Sequence, residues 1–404
     1  MRISVLLFSA ILIVFSSCHQ SKKIKIATSL KGSRAEKVGI EIAGYLNKNG
    51  WEVEVISGGD YYGSKNIKAL QEDLVDFAFV SNDVAFSKNS KSIQTVMPVY
   101  PDLSYIFYRN NLEPKNLEDL IENNSILISD DDENFYLTLF KYYGLSTEDL
   151  EIKKLDFGQS VEEGLQEIYN SKSNVICLFA AIHNPHVKEL IENGWEIFSL
   201  GDINFSNRGS SVEGFCMNYP RTEPFIIPKN FFGQKPTYPI YTVSLNELIV
   251  TRSDMDETLI YDFVKDIYGG KQYLSQKEIL CTHIKEDFDR DALNFPLHQG
   301  TIDYLERDQP SFFERYAEAF GVIFSVLIVL YGGLTSLRKI RKERIDKYFK
   351  RVMECQNTHE LEELSNEAVR QLQSEKLTAD ESFTIFLNLV EKRRHEIENN
   401  PLNK

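Results

Sequence analysis

Between residue 23 and about residue 200, short apolar runs alternate with stretches whose apolar residues recur every three or four positions. Residues 24–27 read as a strand, and 34–47 as a helix that places Val38, Ile42 and Leu46 on one face. The alternation at 51–56 predicts a second strand. Helical spacing returns at 66–74, and 76–80 is an apolar run of buried-strand length. The same rhythm predicts a strand at 125–129, a helix at 135–143 and a strand at 175–180. Strand and helix in alternation predict α/β architecture, with parallel sheets covered by helices on both faces. Ligands of such sheets sit beyond the C-terminal strand ends, where loops lead into helix N-termini. The loops to watch are therefore 28–34, 57–64, 81–83, 129–134 and 181–183.

A different pattern follows. Between Glu318 and Arg338 the chain carries no charge over residues 319–337, a stretch rich in Ile, Val, Leu and Phe. As a helix it spans roughly 28 Å, close to the hydrocarbon thickness of a bilayer. The alternative is a core helix of a soluble protein, but only Ser325, Thr335, Ser336 and glycines offer a polar face. Arg338, Lys339, Arg341, Lys342, Arg344, Lys347, Lys350 and Arg351 follow, against Glu343 and Asp346. That asymmetry predicts a cytoplasmic tail at 338–404 and an exported region before the span. In the tail, Ile345, Phe349 and Val352, then Leu361, Leu364 and Ala368, then Phe383, Phe386 and Val390 keep helical spacing. Breaks fall at 357–359 and 376–380. A small helical hairpin, or packing against a cytoplasmic partner, is expected there. At the other end, residues 1–17 read as an export signal, with Arg2 ahead of the apolar run 3–15. Phe15-Ser16-Ser17-Cys18 resembles the lipobox of bacterial lipoproteins, which makes Cys18 the candidate lipidation site of a signal spanning 1–18. Ordinary signal cleavage with Cys18 as a spare thiol is the alternative.

Length and composition narrow the functions. At 404 residues and 42% apolar content the chain has room for two or three folded domains. A net charge of -15 argues against nucleic acid as a partner. Five cysteines are too few for a disulfide framework, although Cys177, Cys216 and Cys281 permit one bridge and one free thiol. Cys177, in the apolar run 175–181, is expected to behave as a small buried hydrophobe.

Several motifs stand in a telling order. Lys23-Ile24-Lys25-Ile26-Ala27-Thr28 is followed by Gly32-Ser33 and Gly39, then by Gly63-Ser64, Asn66 and Leu70. Next come Asp76-Phe77-Ala78, Ser81-Asn82-Asp83, Leu117-Glu118-Asp119-Leu120 and Tyr143-Gly144-Leu145. Pro236-Thr237-Tyr238, Leu248-Ile249-Val250 and Phe295-Pro296-Leu297-His298-Gln299-Gly300 complete the series. In this order and spacing, over about 23–307, they resemble the TAXI family of solute-binding proteins, the receptors of one branch of the TRAP transporters. The resemblance implies a two-lobed type II periplasmic-binding-protein fold with a solute held between the lobes. Lobe one is expected at 23–109 and 237–307 and lobe two at 110–236, with crossings near 106–112 and 225–241. Some TAXI-like proteins also carry a C-terminal span and a basic helical tail.

The resemblance implies ligand contacts at Ser29, Tyr62, Ser64, Asn66, Ser81 and Asp83 from lobe one, and at Asn134 and Ala181 from lobe two. It implies a small polar solute (an organic acid or an amino-acid-like molecule), a TRAP-type membrane permease as partner and no cofactor. One departure matters. Where the family has a Gly-rich loop with a Ser-Gly-Thr element, this chain has Asp130-Asp131-Asp132-Glu133-Asn134. Four carboxylates beside a ligand carboxylate repel it, at roughly 1 kcal/mol per pair at 4 Å even in water. The ligand is therefore expected to carry an amine or a metal, or the pocket no longer to serve a dicarboxylate. The plainer reading is a solvated loop in which Asp130 or Asp132 caps the next helix. A calcium site is a further option, but the run lacks EF-hand spacing and its glycine.

His183 and His186 are three apart, yet Pro185 between them favours a loop over a metal site. His298 is expected to pack or hydrogen-bond structurally. No Gly-x-Ser-x-Gly, His-Glu-x-x-His or P-loop pattern occurs, so an enzyme reading lacks a nucleophile, a base and an orienting partner. Two functions compete. One is a receptor in the cytoplasmic membrane, its binding domain in the periplasm, delivering solute to a permease. The other is a ligand-sensing receptor that signals through its cytoplasmic tail.

Overall fold

The computed structural model describes residues 22–83, 92–148, 150–309, 316–377 and 379–399. Residues 1–18, expected to form an export signal ending at Cys18, lie outside the described residues. The chain divides after Asp308 into two compact units.

Among the described residues the first unit is built on ten strands. These are β1 (Lys22–Ala27), β2 (Trp51–Ile56), β3 (Phe77–Ser81), β4 (Ile93–Arg109), β5 (Ile126–Ser129), β6 (Ile152–Leu155), β7 (Val175–Ala181), β8 (Trp195–Ile197), β9 (Thr222–Ile227) and β10 (Ile240–Arg252). Their order across the sheet is β2-β1-β3-β10-β4-β7-β5-β6, with β8 against β4 and β9 against β10. The expected parallel pairs form at β1–β2, β1–β3, β5–β6 and β5–β7. The two long strands are the exception, because β4 and β10 run antiparallel to each other and to their neighbours. A chain that passes from one half of the molecule to the other and back must traverse the join in opposite directions.

Each long strand changes partners midway. Residues 93–101 of β4 pair with β10, while Asp102 to Tyr108 pair with β7. Residues 240–245 of β10 pair with β9, while Glu247 to Thr251 pair with β3. The exchange therefore falls near Pro101–Asp102 and Leu245–Glu247, ahead of the crossing expected near 106–112 and just after the one expected near 225–241. The core divides at the same place. One lobe buries Ile26, Val38, Ile42, Phe77, Phe79, Ile249 and Phe263 together. The other buries Tyr136, Phe140, Val175, Phe215 and Val243 on one sheet face, and Tyr105, Ile176, Trp195 and Ile240 on the opposite face.

Polar caps set where the helices begin. Ser33 accepts from the Glu36 amide at the start of helix Arg34–Lys48, and Ser160 from the Glu163 amide at the start of helix Val161–Asn170. Ser210 and Glu213 form a reciprocal capping box. At helix Gln299–Leu305 the cap is His298, whose Nδ1 accepts from the Gly300 amide at 3.2 Å. A Cβ on Gly300 would sit 2.2 Å from the Glu257 carbonyl oxygen, so glycine lets this helix close on helix Glu257–Gly269. His298 is thus structural, as expected. Cys177, Cys216 and Cys281 are free and buried, so the permitted bridge does not form.

In the second unit one helix, Ala317–Glu354, runs unbroken for 38 residues. Its stretch Ala317–Ser336 has a mean hydropathy of 2.0 and none of it is buried, so by length and composition it can cross a membrane. The other end of the helix packs Ile345, Tyr348 and Val352 against Leu361, Leu364, Phe383 and Phe386 of helices Thr358–Gln373 and Glu381–Glu398. Asn357 and Asp380 cap those two helices, at the breaks read from sequence.

Candidate ligand-binding cleft

A cavity of about 400 Å³ opens between the two lobes of the first unit, with the partner exchange of β4 and β10 as its floor. Ser29, Tyr62, Ser64, Ser81 and Asp83 line it from lobe one, and Asn134 and Ala181 from lobe two. Asn66 does not line it. This side chain is fully buried and donates to the carbonyls of Thr28 at 2.8 Å and Phe79 at 2.7 Å, tying the ends of β1 and β3 together. Its place in the Gly-Ser-x-Asn run follows from that brace.

The mouth is drawn shut by contacts between lobes. Lys31 and Ser160 form a parallel bridge, with the Lys31 amide donating to Gln159 O at 3.3 Å and the Val161 amide to Lys31 O at 3.0 Å. The Gly59 amide donates to Gln159 Oε1 at 3.0 Å, and Ser64 Oγ donates to Asp131 Oδ1 at 2.9 Å. These approaches depend on glycine. A Cβ on Gly59 would lie 2.0 Å from Gly158 O, and one on Gly63 2.1 Å from the Asp131 carboxylate.

The acidic run splits by environment. Asp130 and Glu133 both pair with Lys154, the former at 3.0 Å. Asp131 holds Ser64 across the mouth. Asp132 stands at the N-cap of helix Glu133–Tyr142 but makes no side-chain cap bond, and it lines the cavity. The expected cap is therefore not made by Asp132. Two further carboxylates reach the cavity, Asp102 from β4 and Glu247 from β10. Sequence reading passed over both. The available signal was an acid directly before an apolar run, as in Glu247-Leu248-Ile249-Val250.

Burial raises the proton affinity of Asp83, Asp102, Asp132 and Glu247, and repulsion from neighbouring carboxylates adds to it. Asp83 is pushed up to about 6, by burial first and the Asp131 charge after it. Asp132 is pushed up to about 8 by burial and by Asp83. Asp102 is raised by burial and Asp83, and Glu247 by burial and Asp102. The only Arg or Lys lining the cavity among the described residues is Arg34, and its guanidinium is already paired with Glu278. His186 also lines the wall, with Nδ1 3.3 Å from Glu189. The cavity is also lined by Leu165, Ile168, Leu178, Val187 and Leu190, which belong to one buried apolar cluster and form an apolar wall. Among the described residues no group of three His, Cys, Asp or Glu side chains is placed to hold a metal ion.

No curated protein matches the chain in sequence. Among solved structures it resembles an ancestral arginine-binding protein bound to glutamine, at 14% identity over 64% of this chain and 99% of that one, with a TM-score of 0.42. A histidine kinase sensor domain with similarity to periplasmic binding proteins matches at 13% identity over 65% of this chain and 95% of that one, with a TM-score of 0.40. The aliphatic sulphonate binding protein SsuA from Escherichia coli matches at 10% identity over 66% of this chain and 80% of that one, with a TM-score of 0.39. The sequence model of the NMT1-like family covers residues 26–307. That stretch takes in all ten strands but the first residues of β1, and on it the chain belongs to the NMT1-like family.

Proposed function

We propose that the protein is a membrane-anchored receptor that captures a small solute outside the cytoplasmic membrane by closing two lobes around it. The observation that carries this reading is the cavity of about 400 Å³ at the crossing strands, lined from both lobes and roofed by contacts between them. Its size suits a metabolite. The β4 and β10 crossings supply a hinge, and contacts from both lobes favour the closed state only when a ligand fills the gap. The motif series at 23–307 further supports a TAXI-type receptor that hands its solute to a TRAP-type permease, with the helix Ala317–Ser336 as anchor and 338–404 in the cytoplasm. Native mass spectrometry of the full chain, purified in a neutral detergent, tests capture. A co-purified small molecule released on unfolding is expected. A chain that carries nothing and whose scattering profile no metabolite mixture alters would remove the reading.

One observation favours sensing over delivery. The apolar segment and the first tail helix are one continuous helix, which ends in a packed core of its own. A receptor that only delivers solute needs an anchor but has no use for such a rod. Crosslinking of the full chain in membranes, with and without solute, separates the two. A ligand-dependent cytoplasmic partner favours sensing, and a ligand-dependent permease favours delivery.

A further inference from the structure

We propose that the cleft takes an organic cation with an apolar body, an alkyl- or aralkylammonium ion, and that this cation holds the two lobes closed. The inference rests on the receptor reading and names the ligand chemistry of the same site.

The charge arrangement is specific. Asp83 comes from lobe one, Asp102 and Glu247 from the two crossing strands, and Asp132 from lobe two, all facing one cavity. Among the described residues none of these four carboxylates forms an ion pair, while the neighbouring Asp130, Glu133 and Arg34 are all paired. Glu247 gives the independent sign of a missing ligand. It is 8% exposed, its side chain makes no hydrogen bond among the described residues, and it adjoins the buried apolar run Leu248-Ile249-Val250. A buried charge without a partner is costly, and the ordinary remedies are a proton or a cation. An anionic ligand meets like charge from both lobes and from the floor.

Shape decides which cation. The described residues offer no three-ligand metal cluster, which disfavours a bare divalent ion. The wall formed by Leu165, Ile168, Leu178, Val187 and Leu190 has no use for a hydrated ion but covers an alkyl or aryl group. An ammonium head among the carboxylates and an apolar tail on that wall fill the cavity. Closure is then coupled to charge. Across the gap between lobes the Asp83 charge raises Asp132's hold on its proton and the Asp131 charge raises that of Asp83, so closing an empty cleft brings like charges together. A cation between them turns that repulsion into attraction.

Calorimetry on the full chain in neutral detergent at pH 8 tests this with hexylammonium, hexanol, hexanoate and calcium, alongside native mass spectrometry. Hexylammonium is expected to bind at least tenfold more tightly than hexanol, and hexanoate not at all. Glu247→Gln and Asp132→Asn should each weaken hexylammonium roughly tenfold or more, with cooperative melting retained. If hexanoate or calcium binds as well as hexylammonium, or if both variants keep wild-type affinity for it, the cation assignment is overturned while the receptor reading stands. If no probe of either charge binds and no small molecule is carried, both fall.

Discussion

Asp130 and Asp132 are separated by one residue, share a side chain and both border the cleft, yet their exposure and their partners differ. Asp130 is on the surface with Lys154 against it, and it needs nothing more. Asp132 points into the cleft with Asp83 nearby and no cation to meet it, and it holds its proton to about pH 8. The lesson is that an acidic run is not one feature. Half of it is ordinary solvated surface, and the other half joins acids from distant parts of the chain to make a site. Composition cannot separate the two, and only the fold of β4 and β10 does so.

The largest expected effect comes from exchanging the two environments. Asp132→Asn should lower affinity for an alkylammonium roughly tenfold or more, whereas Asp130→Asn should change it less than about twofold. Calorimetry on both variants reads this directly, and equal losses would dissolve the distinction.

Steric closure comes next. Gly59→Ala puts a methyl group into the Gly158 carbonyl across the mouth, and backbone cannot swing aside as a side chain can. Overpacking of this kind costs about 1–3 kcal/mol, here charged to the closed state, so affinity should fall roughly tenfold while the melting temperature hardly moves. Small-angle scattering should show a more open particle. Unchanged affinity would mean that the mouth contacts do not belong to the bound state.

The pH dependence follows from the raised acids. An unfolded Asp titrates near about 4, so the folded state holds extra protons on Asp83 up to about 6 and on Asp132 up to about 8. For a group raised on folding, the contribution is fully present below about pH 4 and is lost as pH climbs through the folded value. The unliganded protein should therefore melt several degrees lower at pH 8 than at pH 5. Asp132→Asn should flatten the upper part of that slope, and a bound ammonium should cancel much of it. Differential scanning calorimetry across this range is the measurement, and a melting temperature that rises with pH would contradict it.

Much of the βα alternation was legible because each unit announces itself within a dozen residues. Trp51–Ile56 and the spacing of Val38, Ile42 and Leu46 need only local burial to explain them. The long strand β4 was not legible, since Pro98, Pro101 and Asp102 break the apolar pattern of Ile93–Arg109 where the strand passes between lobes. The loops around the cleft could be named from strand ends alone. The floor could not, because Asp102 and Glu247 meet only after the chain has built all of lobe two between them. Asn66 misled for a related reason. A motif residue beside a ligand loop can be there to brace the loop, and the Nδ2 group of Asn66 donates to two carbonyls.

The smallest expected effect is at Lys154. Lys154→Gln frees Asp130 and Glu133 at the surface, where such pairs contribute at most about 1 kcal/mol. Thermal unfolding should shift by no more than a degree or two, and ligand affinity should stay put.

The 38-residue helix Ala317–Glu354 has a mechanical corollary. It is about 57 Å long, nearly twice the thickness of a hydrocarbon layer, and has no proline within it to absorb torsion. A rotation imposed at Glu318 must therefore reappear at Tyr348, where the ring is wedged against Phe386 and the hydroxyl is bonded to Glu367. On the receptor reading proposed above, the helix is an axle rather than a tether, and a partner of the terminal bundle reads the angle at which it is turned.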